Sequence, residues 1–253
     1  MIAIRNAAEI EAMRRSGRAL GAILAQLSAL VRPGVTTQDL DEAAARMIRE
    51  AGGKSPFYNY RNFPGHICSS VNEGVIHGIP GPRKLLYGDV VKLDIGLILG
   101  GWITDTAVSV PVGAVRPEVD ALLAKTQEAL KLGIAQARAG NRLGDISAAI
   151  GNCVFAAGYT VVEDFVGHGV GRQLHEEPQI ANFGKRGSGP LLKAGMTLAI
   201  EPMVNMGGKK VKVLQDKWTV VTADGRPSAH FEHTVLVTEG EPEILTRPLT
   251  MTA

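Results

Sequence analysis

The sequence predicts an α+β fold built from two related halves, and two observations indicate it. In each half, a long helical segment precedes a shorter one that starts at an aspartate, Asp39 or Asp145, and ends at a glycine. Each helix pair is followed by residues typical of β-strands. Since 253 residues fit one large domain, we expect a single domain spanning residues 1–253.

Composition excludes several classes of protein. The formal net charge is +2, which gives no overall attraction to nucleic acid or anionic membranes. The longest apolar stretch, 21–31, is too short to span a bilayer, and the N-terminus lacks the order of a secretory signal. Two cysteines define no disulfide framework, and the pattern around Cys153 favours a core position. We therefore expect a cytoplasmic protein without membrane association.

Two helices are predicted in the first half. The first begins at Asn6, where Glu9 three residues later indicates a capping box, and apolar positions continue at three- and four-residue intervals to Val31. This stripe favours a buried helix over a coiled coil because the segment is short. The second helix is predicted over residues 37–51, before Gly52 and Gly53.

Residues 54–66 form a predicted loop that holds much of the chain's aromatic content. Two interpretations are open, because the loop can fold onto the core or form the wall of a pocket. Its aromatic residues are Phe57, Tyr58, Tyr60 and Phe63.

Residues 90–110 predict a β-hairpin with a Gly100–Gly101 turn. That turn places Asp94 opposite Ala107 and makes Asp105 the diagonal neighbour of Asp94 on the same face, roughly 7–8 Å away. Two carboxylates on an apolar hairpin repel each other and lose hydration. A cation between them would remove that cost; the alternative is an exposed face.

The second half is predicted to contain helices over 117–140 and from 143 or 145 to 158. A glycine-rich stretch, 165–178, follows and carries His168 and His175. Glycines allow close approach of backbone and ligand. The alternative interpretation is a flexible loop whose histidines have no role.

Two further strands, 196–204 and 228–238, are predicted to contain Glu201 and Glu232 among apolar residues. A glutamate inside a strand is disfavoured unless it is paired. Its partner could be a lysine or arginine, or a bound cation.

Together, these unusual placements supply four carboxylates and one imidazole, whose charge balances two divalent ions. One histidine among oxygen ligands favours manganese, iron or cobalt. Two such ions can hold a bridging water, lower its pKa and clamp a tetrahedral intermediate, which is hydrolysis without an amino-acid nucleophile. The five residues are Asp94, Asp105, His168, Glu201 and Glu232.

The chain resembles a type I methionine aminopeptidase, of the pita-bread fold shared with prolidase and creatinase. The resemblance rests on VNEGVIHGIPGPR, KLDIGLILGGWITDTA, GHGVGRQLHEEP, AIEPM and FEHTVLVT, in that order over nearly the whole chain. It implies a curved, mainly antiparallel sheet between two α/β halves. It also implies a metalloprotease that removes the initiator methionine of nascent proteins when the second residue is small, by attack of a metal-bridging water or hydroxide.

The resemblance also implies roles for individual residues. Asp94 would bind one ion, His168 the other, and Asp105 and Glu232 both. Glu201 would bind an ion and move a proton of the attacking water. His77 and His175 would contact the substrate and steady its scissile carbonyl. The methionine side chain would lie among Tyr60, Phe63, Cys68 and Trp218.

Three positions depart from the pattern of the resemblance. Phe57 and Leu174 alter the expected pocket walls, and Lys92 stands two residues before Asp94, where asparagine is usual. These positions touch no expected ligand, so we expect activity to survive. Members of this class can also hold a monovalent cation, which the resemblance assigns here to a loop near Asn72, Gly74 and Ser228.

Expected partners follow from the same resemblance. The substrates would be nascent polypeptide N-termini, and the enzyme a monomer. A basic cluster on a predicted hairpin is either a solvated strand edge or a contact with ribosomal RNA. Two rival functions are considered. One is a related hydrolase of X-Pro or guanidine substrates, and the other is a metal-free binding protein with the same fold. The cluster comprises Lys209, Lys210, Lys212 and Lys217.

Overall fold

The computed structural model describes residues 2–247 and contains the four predicted helices. The first begins as predicted: the Asn6 side chain accepts from the Glu9 backbone N–H, and the Glu9 carboxylate accepts from the Asn6 N–H. The buried face of this helix packs on the main sheet. The helices are α1 (Ala7–Ala29), α2 (Thr37–Glu50), α3 (Pro117–Ala135) and α4 (Leu143–Ala156).

α3 ends earlier than predicted, at Ala135 instead of Gly140. The following backbone leaves the helix because it finds partners elsewhere: Ala139 N–H donates to the Thr238 carbonyl, and Gly140 N–H donates to the Leu192 carbonyl. Tertiary hydrogen bonds therefore override the local helical pattern. None of the described helices is long and apolar enough to cross a membrane.

The strands form one eight-stranded sheet and two three-stranded sheets, in which every pairing is antiparallel. The main sheet takes neighbouring strands from both halves of the chain, in the order β1-β3-β4-β13-β8-β6-β7, with β14 beside β13. The strands are β1 (Cys68–Val71), β2 (Gly74–Ile76), β3 (Val90–Leu99), β4 (Trp102–Pro111), β5 (Thr160–Val161), β6 (Gly167–Gly169), β7 (Glu176–Ile180), β8 (Thr197–Ile200), β9 (Met203–Asn205), β10 (Val211–Val213), β11 (Val220–Thr222), β12 (Ser228–His230), β13 (Glu232–Leu236) and β14 (Glu243–Ile244).

The predicted hairpin is confirmed with its register. β3 pairs with β4 so that Leu99 faces Trp102 and Asp94 faces Ala107. Gly100 and Gly101 both have positive φ, at 60° and 78°, the conformation that a two-residue type I′ turn requires.

Two predicted strands are each broken in the middle, which corrects the expectation that Glu201 and Glu232 lie inside continuous strands. Glu201 and Pro202 separate β8 from β9, which belong to different sheets. Phe231 separates β12 from β13 in the same way, so Glu232 is the first residue of its strand. Both carboxylates therefore lie at points where the chain changes sheets.

Each half has its own hydrophobic core between its helices and the main sheet. α1 and α2 cover a cluster that includes Leu20, Leu40 and Ile95, whereas α3 and α4 cover one that includes Leu122 and Ile150. Cys153 lies only partly buried beside the second core. Both cores lie on the helix side of the sheet, so the other face is left to form a site.

Candidate metal centre and its cavity

Two adjacent rows of residues across the main sheet bring the predicted ligands together. In the first row, Cys68 pairs with Asp94, Asp94 with Ala107, and Ala107 with Glu232. Directly paired residues point to the same face. The small Ala107 therefore leaves space between the Asp94 and Glu232 carboxylates.

The second row lies one pleat along the same face. Asp105 is two residues from Ala107, and its backbone is bonded to the Thr234 hydroxyl. Thr234 pairs with Ala199, and Ala199 pairs with His168. Small side chains again separate the polar ones. One ligand atom from each of Asp105, His168 and Glu232 lies within 4.8 Å of the others.

Glycines let strand β6 approach its neighbours closely enough to place His168. A Cβ on Gly167 would lie 2.5 Å from the Ala199 carbonyl oxygen, and one on Gly169 would overlap the Glu177 carbonyl. Real side chains do not tolerate such distances. The glycines that flank His168 are thus required by packing, and the stretch is not a loose loop there.

The tautomer of His168 is fixed by its neighbour. Its Nδ1 lies 2.9 Å from the Gly169 carbonyl oxygen, which can only accept, so Nδ1 carries the proton. Nε2 then presents a lone pair, and it lies 3.6 Å from Glu201 Oε1. Burial lowers the pKa of His168 to about 4, so the ring is neutral at pH 7. A lone pair facing a carboxylate is repulsive unless a cation lies between them.

Burial also raises the pKa of the clustered carboxyl groups. The pKa of Asp94 rises to about 7 and that of Glu201 to about 8, in both cases chiefly because burial disfavours the charged form. Asp105 and Glu232 have pKa values raised further by burial, with neighbouring carboxylates adding to the effect. Such a cluster is costly to ionise without positive charge nearby.

The polar atoms of the site form a suitable donor set for divalent cations. Among residues 2–247, the buried Asp94 Oδ1 and Glu232 Oε1 have no hydrogen-bond partner. Orphaned carboxylate oxygens, together with a lone pair from a neutral imidazole, form the donor set of a hard or borderline divalent ion.

The carboxylates open into a cavity of about 890 Å³. This is at the upper end of the range for small-ligand sites. One wall is apolar and uses the aromatic loop, in which Phe57 and Phe63 are buried. Both interpretations of that loop therefore hold, since it packs on the sheet and also lines the cavity. The predicted side-chain pocket residues Tyr60, Phe63, Cys68 and Trp218 all line it.

The two residues that depart from the expected pocket walls, Phe57 and Leu174, lie in this same apolar cluster. Both are buried, at 7% and 6% exposure, and both line the cavity. The substitutions therefore keep the wall apolar.

The predicted substrate-contacting histidines, His77 and His175, both line the cavity. The His77 ring lies edge-on to Trp218, with 6.0 Å between centroids, and burial lowers its pKa to about 4. His175 stacks edge-on against His168, with 4.5 Å between centroids, and its Nδ1 lies 3.0 Å from the Tyr60 hydroxyl. With that hydroxyl as donor, the ring proton of His175 is on Nε2.

His230 is a residue that sequence reasoning missed. It is 1% exposed, and its Nε2 lies 3.3 Å from Glu201 Oε2. In the part of the chain that the structure describes, neither ring nitrogen has a hydrogen-bond partner. A signal was present, because His230 stands two residues before Glu232 in an otherwise apolar strand pattern, where a polar residue points to the same face as the glutamate.

Lys92 lies at the loop that the resemblance assigns to a monovalent cation. Its Nζ donates to the Asn72 carbonyl at 2.7 Å and to the Ser228 carbonyl at 3.1 Å. Two of the oxygens expected to coordinate an ion are thus bound to an ammonium group.

The predicted basic hairpin is formed by β10 and β11. Its four lysines are exposed, and Lys209 pairs with Glu163 at 2.9 Å. Its first strand, β10, is an edge strand of the three-stranded sheet.

Comparisons with known proteins agree on one family. The model of metallopeptidase family M24 matches residues 11–239. A methionine aminopeptidase of Clostridium perfringens is 49% identical over 97% of this chain and 99% of its own length. Methionine aminopeptidase 1 of Bacillus subtilis is 46% identical over 98% of this chain and 100% of its own. The crystal structure of methionine aminopeptidase from Thermotoga maritima superposes with a TM-score of 0.96 at 42% identity, covering 98% of this chain and 100% of that one.

Proposed function

The chain belongs to metallopeptidase family M24, and we propose that it removes the N-terminal methionine from peptides and nascent proteins when the second residue is small. Its fold is the predicted pita-bread fold, with helices on one face of a mainly antiparallel sheet and the site on the other. The chain is thus a metal-dependent hydrolase of the methionine aminopeptidase type.

One observation carries the assignment of the centre. The neutral His168 directs its Nε2 lone pair at Glu201, within a group of buried carboxylates. A cation between the two makes this arrangement favourable once the carboxylates are ionised, and a structural ion pair would have used a lysine or arginine instead. In a metal-free binding protein, the buried carboxylate oxygens that lack a hydrogen-bond partner would gain no compensating interaction.

We assign two divalent ions to the centre, which balances four carboxylates. Bound ions of this kind lower the pKa of water toward neutrality and polarise a carbonyl group. The donor set, rich in oxygen with one imidazole, favours manganese, iron or cobalt. The proposed ligands are Asp94, Asp105, His168, Glu201 and Glu232.

The apolar wall of the cavity suits a methionine side chain. A thioether is apolar and polarisable and packs favourably against aromatic edges. Phe63 and Trp218 meet edge to face there, with 5.1 Å between ring centroids, and Tyr60 and Cys68 complete the pocket. His77 lies beside Trp218, where it can contact the bound residue.

Two residues are proposed to act on the scissile bond. His175 faces the cavity, and with the Tyr60 hydroxyl as donor to Nδ1 its Nε2 carries the proton and can donate a hydrogen bond to the scissile carbonyl oxygen, which stabilises the developing charge. Glu201 lines the cavity beside His168 and His230, where its carboxylate can take a proton from water and return it.

We propose that residues 1–253 form one catalytic domain, supported by the main sheet, which joins strands of both halves. We also propose a monomer that acts in the cytoplasm on emerging chains. The exposed lysines of the β10–β11 hairpin are candidates for ribosome contact, and such binding should weaken steeply with salt.

Turnover of Met-Ala-Ser tests the proposed function. We expect hydrolysis of the Met-Ala bond, loss of activity with a chelator, and recovery on addition of manganese, iron or cobalt. His168→Ala should abolish turnover, whereas His66→Ala, which alters a ring stacked on Tyr58, should not. Cleavage of Gly-Pro in preference to Met-Ala-Ser would favour an X-Pro peptidase, and chelator-resistant turnover would overturn the metal assignment.

A further inference from the structure

Lys92 is a buried amine in an unusual setting. It is 1% exposed and is among the largest fully buried side chains. Its two hydrogen-bond partners are the neutral backbone carbonyls of Asn72 and Ser228. Buried lysines usually need a carboxylate partner, so a lysine held by carbonyl oxygens requires an explanation.

The two carbonyl groups are held rigidly toward Nζ. Asn72 has a φ of +53°, and its side chain accepts from Val90 N–H at 2.9 Å and donates to Asp89 at 2.8 Å. The Ser228 N–H donates to the Asn72 carbonyl at 3.1 Å, and the Ser228 hydroxyl donates to Asn205 Oδ1 at 2.8 Å. Oxygens fixed in this way resemble the carbonyl cages that replace the hydration shell of potassium or sodium ions.

A monovalent ion does not fit beside this lysine. Nζ lies at hydrogen-bond distance from both carbonyl oxygens and so occupies the position that an ion bound to them would need. We propose that the ammonium group of Lys92 replaces a bound monovalent cation and joins the Asn72 turn to strand β12 without any ion. The joined segment runs from Ser228 through His230 to Glu232, so it supports the metal centre.

Burial and neighbouring charges act on the Lys92 ammonium in opposite directions. Burial lowers the pKa of Lys92 to about 7 and the charge of Arg83 adds to that shift, whereas the carboxylates of Glu73 and Asp89 oppose it. An ammonium is a compact point charge like a monovalent ion. Measurements below this pKa keep the group charged.

The wild type, Lys92→Asn and Lys92→Met are compared by thermal unfolding after removal of divalent metal. Each is measured in potassium, sodium or tetramethylammonium chloride at equal ionic strength. The wild type should unfold at the same temperature in all three salts. Lys92→Asn removes the ammonium and leaves room for an ion, so potassium or sodium should raise its Tm by about 3–6 °C over tetramethylammonium. Lys92→Met, which fills the space without charge, should be destabilised equally in all salts.

Rubidium soaked into crystals gives a direct readout, because its anomalous signal should appear between the Asn72 and Ser228 carbonyls in Lys92→Asn and not in the wild type. Specific stabilisation of the wild type by potassium or sodium would overturn the proposal. The proposal would also be overturned if no salt raised the Tm of Lys92→Asn, or if this variant failed to fold in every salt. Lys92 would then be only a structural hydrogen-bond donor. These readouts do not depend on peptidase activity, so their failure leaves the proposed function standing.

Discussion

Replacing Glu201 with glutamine is expected to stabilise the metal-free protein while weakening its metal binding. Burial raises the pKa of Glu201 from 4.5 to about 8. The folded chain therefore holds a proton there that the unfolded chain releases above about pH 4.5. Since the folded state binds more protons, the stability of the metal-free wild type falls as pH rises from about 4.5 to about 8. Glutamine has the same shape and no charge to bury.

The size of the effect follows from that shift. Each pH unit corresponds to about 1.4 kcal/mol, so the pKa change from 4.5 to about 8 sets an upper limit of about 5 kcal/mol. Water in the adjoining cavity and proton sharing with the other carboxyl groups reduce it. We expect a gain of about 2 kcal/mol at pH 8, or about 4–8 °C in Tm for a chain of this length. The glutamine amide can also donate to the His168 lone pair, which adds to the gain.

Thermal unfolding at about pH 5 and about pH 8, with and without manganese, measures the effect. Metal-free Glu201→Gln should unfold well above the wild type at the higher pH and close to it at the lower pH. With manganese the order should reverse, because the wild type gains more from the ion. Glu239→Gln, at an exposed glutamate, is the control and should change neither. Equal Tm values for the two metal-free proteins at both pH values, or a lower Tm for the variant at both, would show that burial of the Glu201 charge does not destabilise the metal-free protein.

Two further substitutions test residues that act through others. Tyr60→Phe removes the partner of His175 Nδ1 and should lower kcat on Met-Ala-Ser about tenfold with little change in KM; Tyr58→Phe is the control, and equal losses in both would exclude a specific role. His230→Leu removes the imidazole whose Nε2 lies 3.3 Å from Glu201 Oε2, so manganese affinity measured by calorimetry should fall about tenfold or more. His230→Gln, which keeps a donor, should lose much less, and identical affinities for the two variants would contradict this role.

Local patterns predicted much of this molecule because the information lay in short spacings. The capping box at Asn6 and the two-glycine turn between β3 and β4 are each set by neighbours in sequence. The hairpin register then placed Asp94 and Asp105 on one face before any tertiary contact was known.

Other features depend on distant partners and could not be predicted this way. The end of α3 is fixed by carbonyls from Leu192 and Thr238. The breaks at Pro202 and Phe231 arise because the chain moves from one sheet to another, which a continuous apolar run does not reveal. The meeting of Lys92 with two backbone carbonyls required the fold itself.

The most direct test of the central claim is anomalous scattering from manganese in crystals of the metal-stripped protein after soaking. We expect two peaks on the sheet face, about 3.5–4 Å apart, one near Asp94 and one near His168, with both peaks lost in a chelator-treated crystal. A folded protein that shows no manganese among these side chains, or shows it only elsewhere on the surface, would contradict the claim.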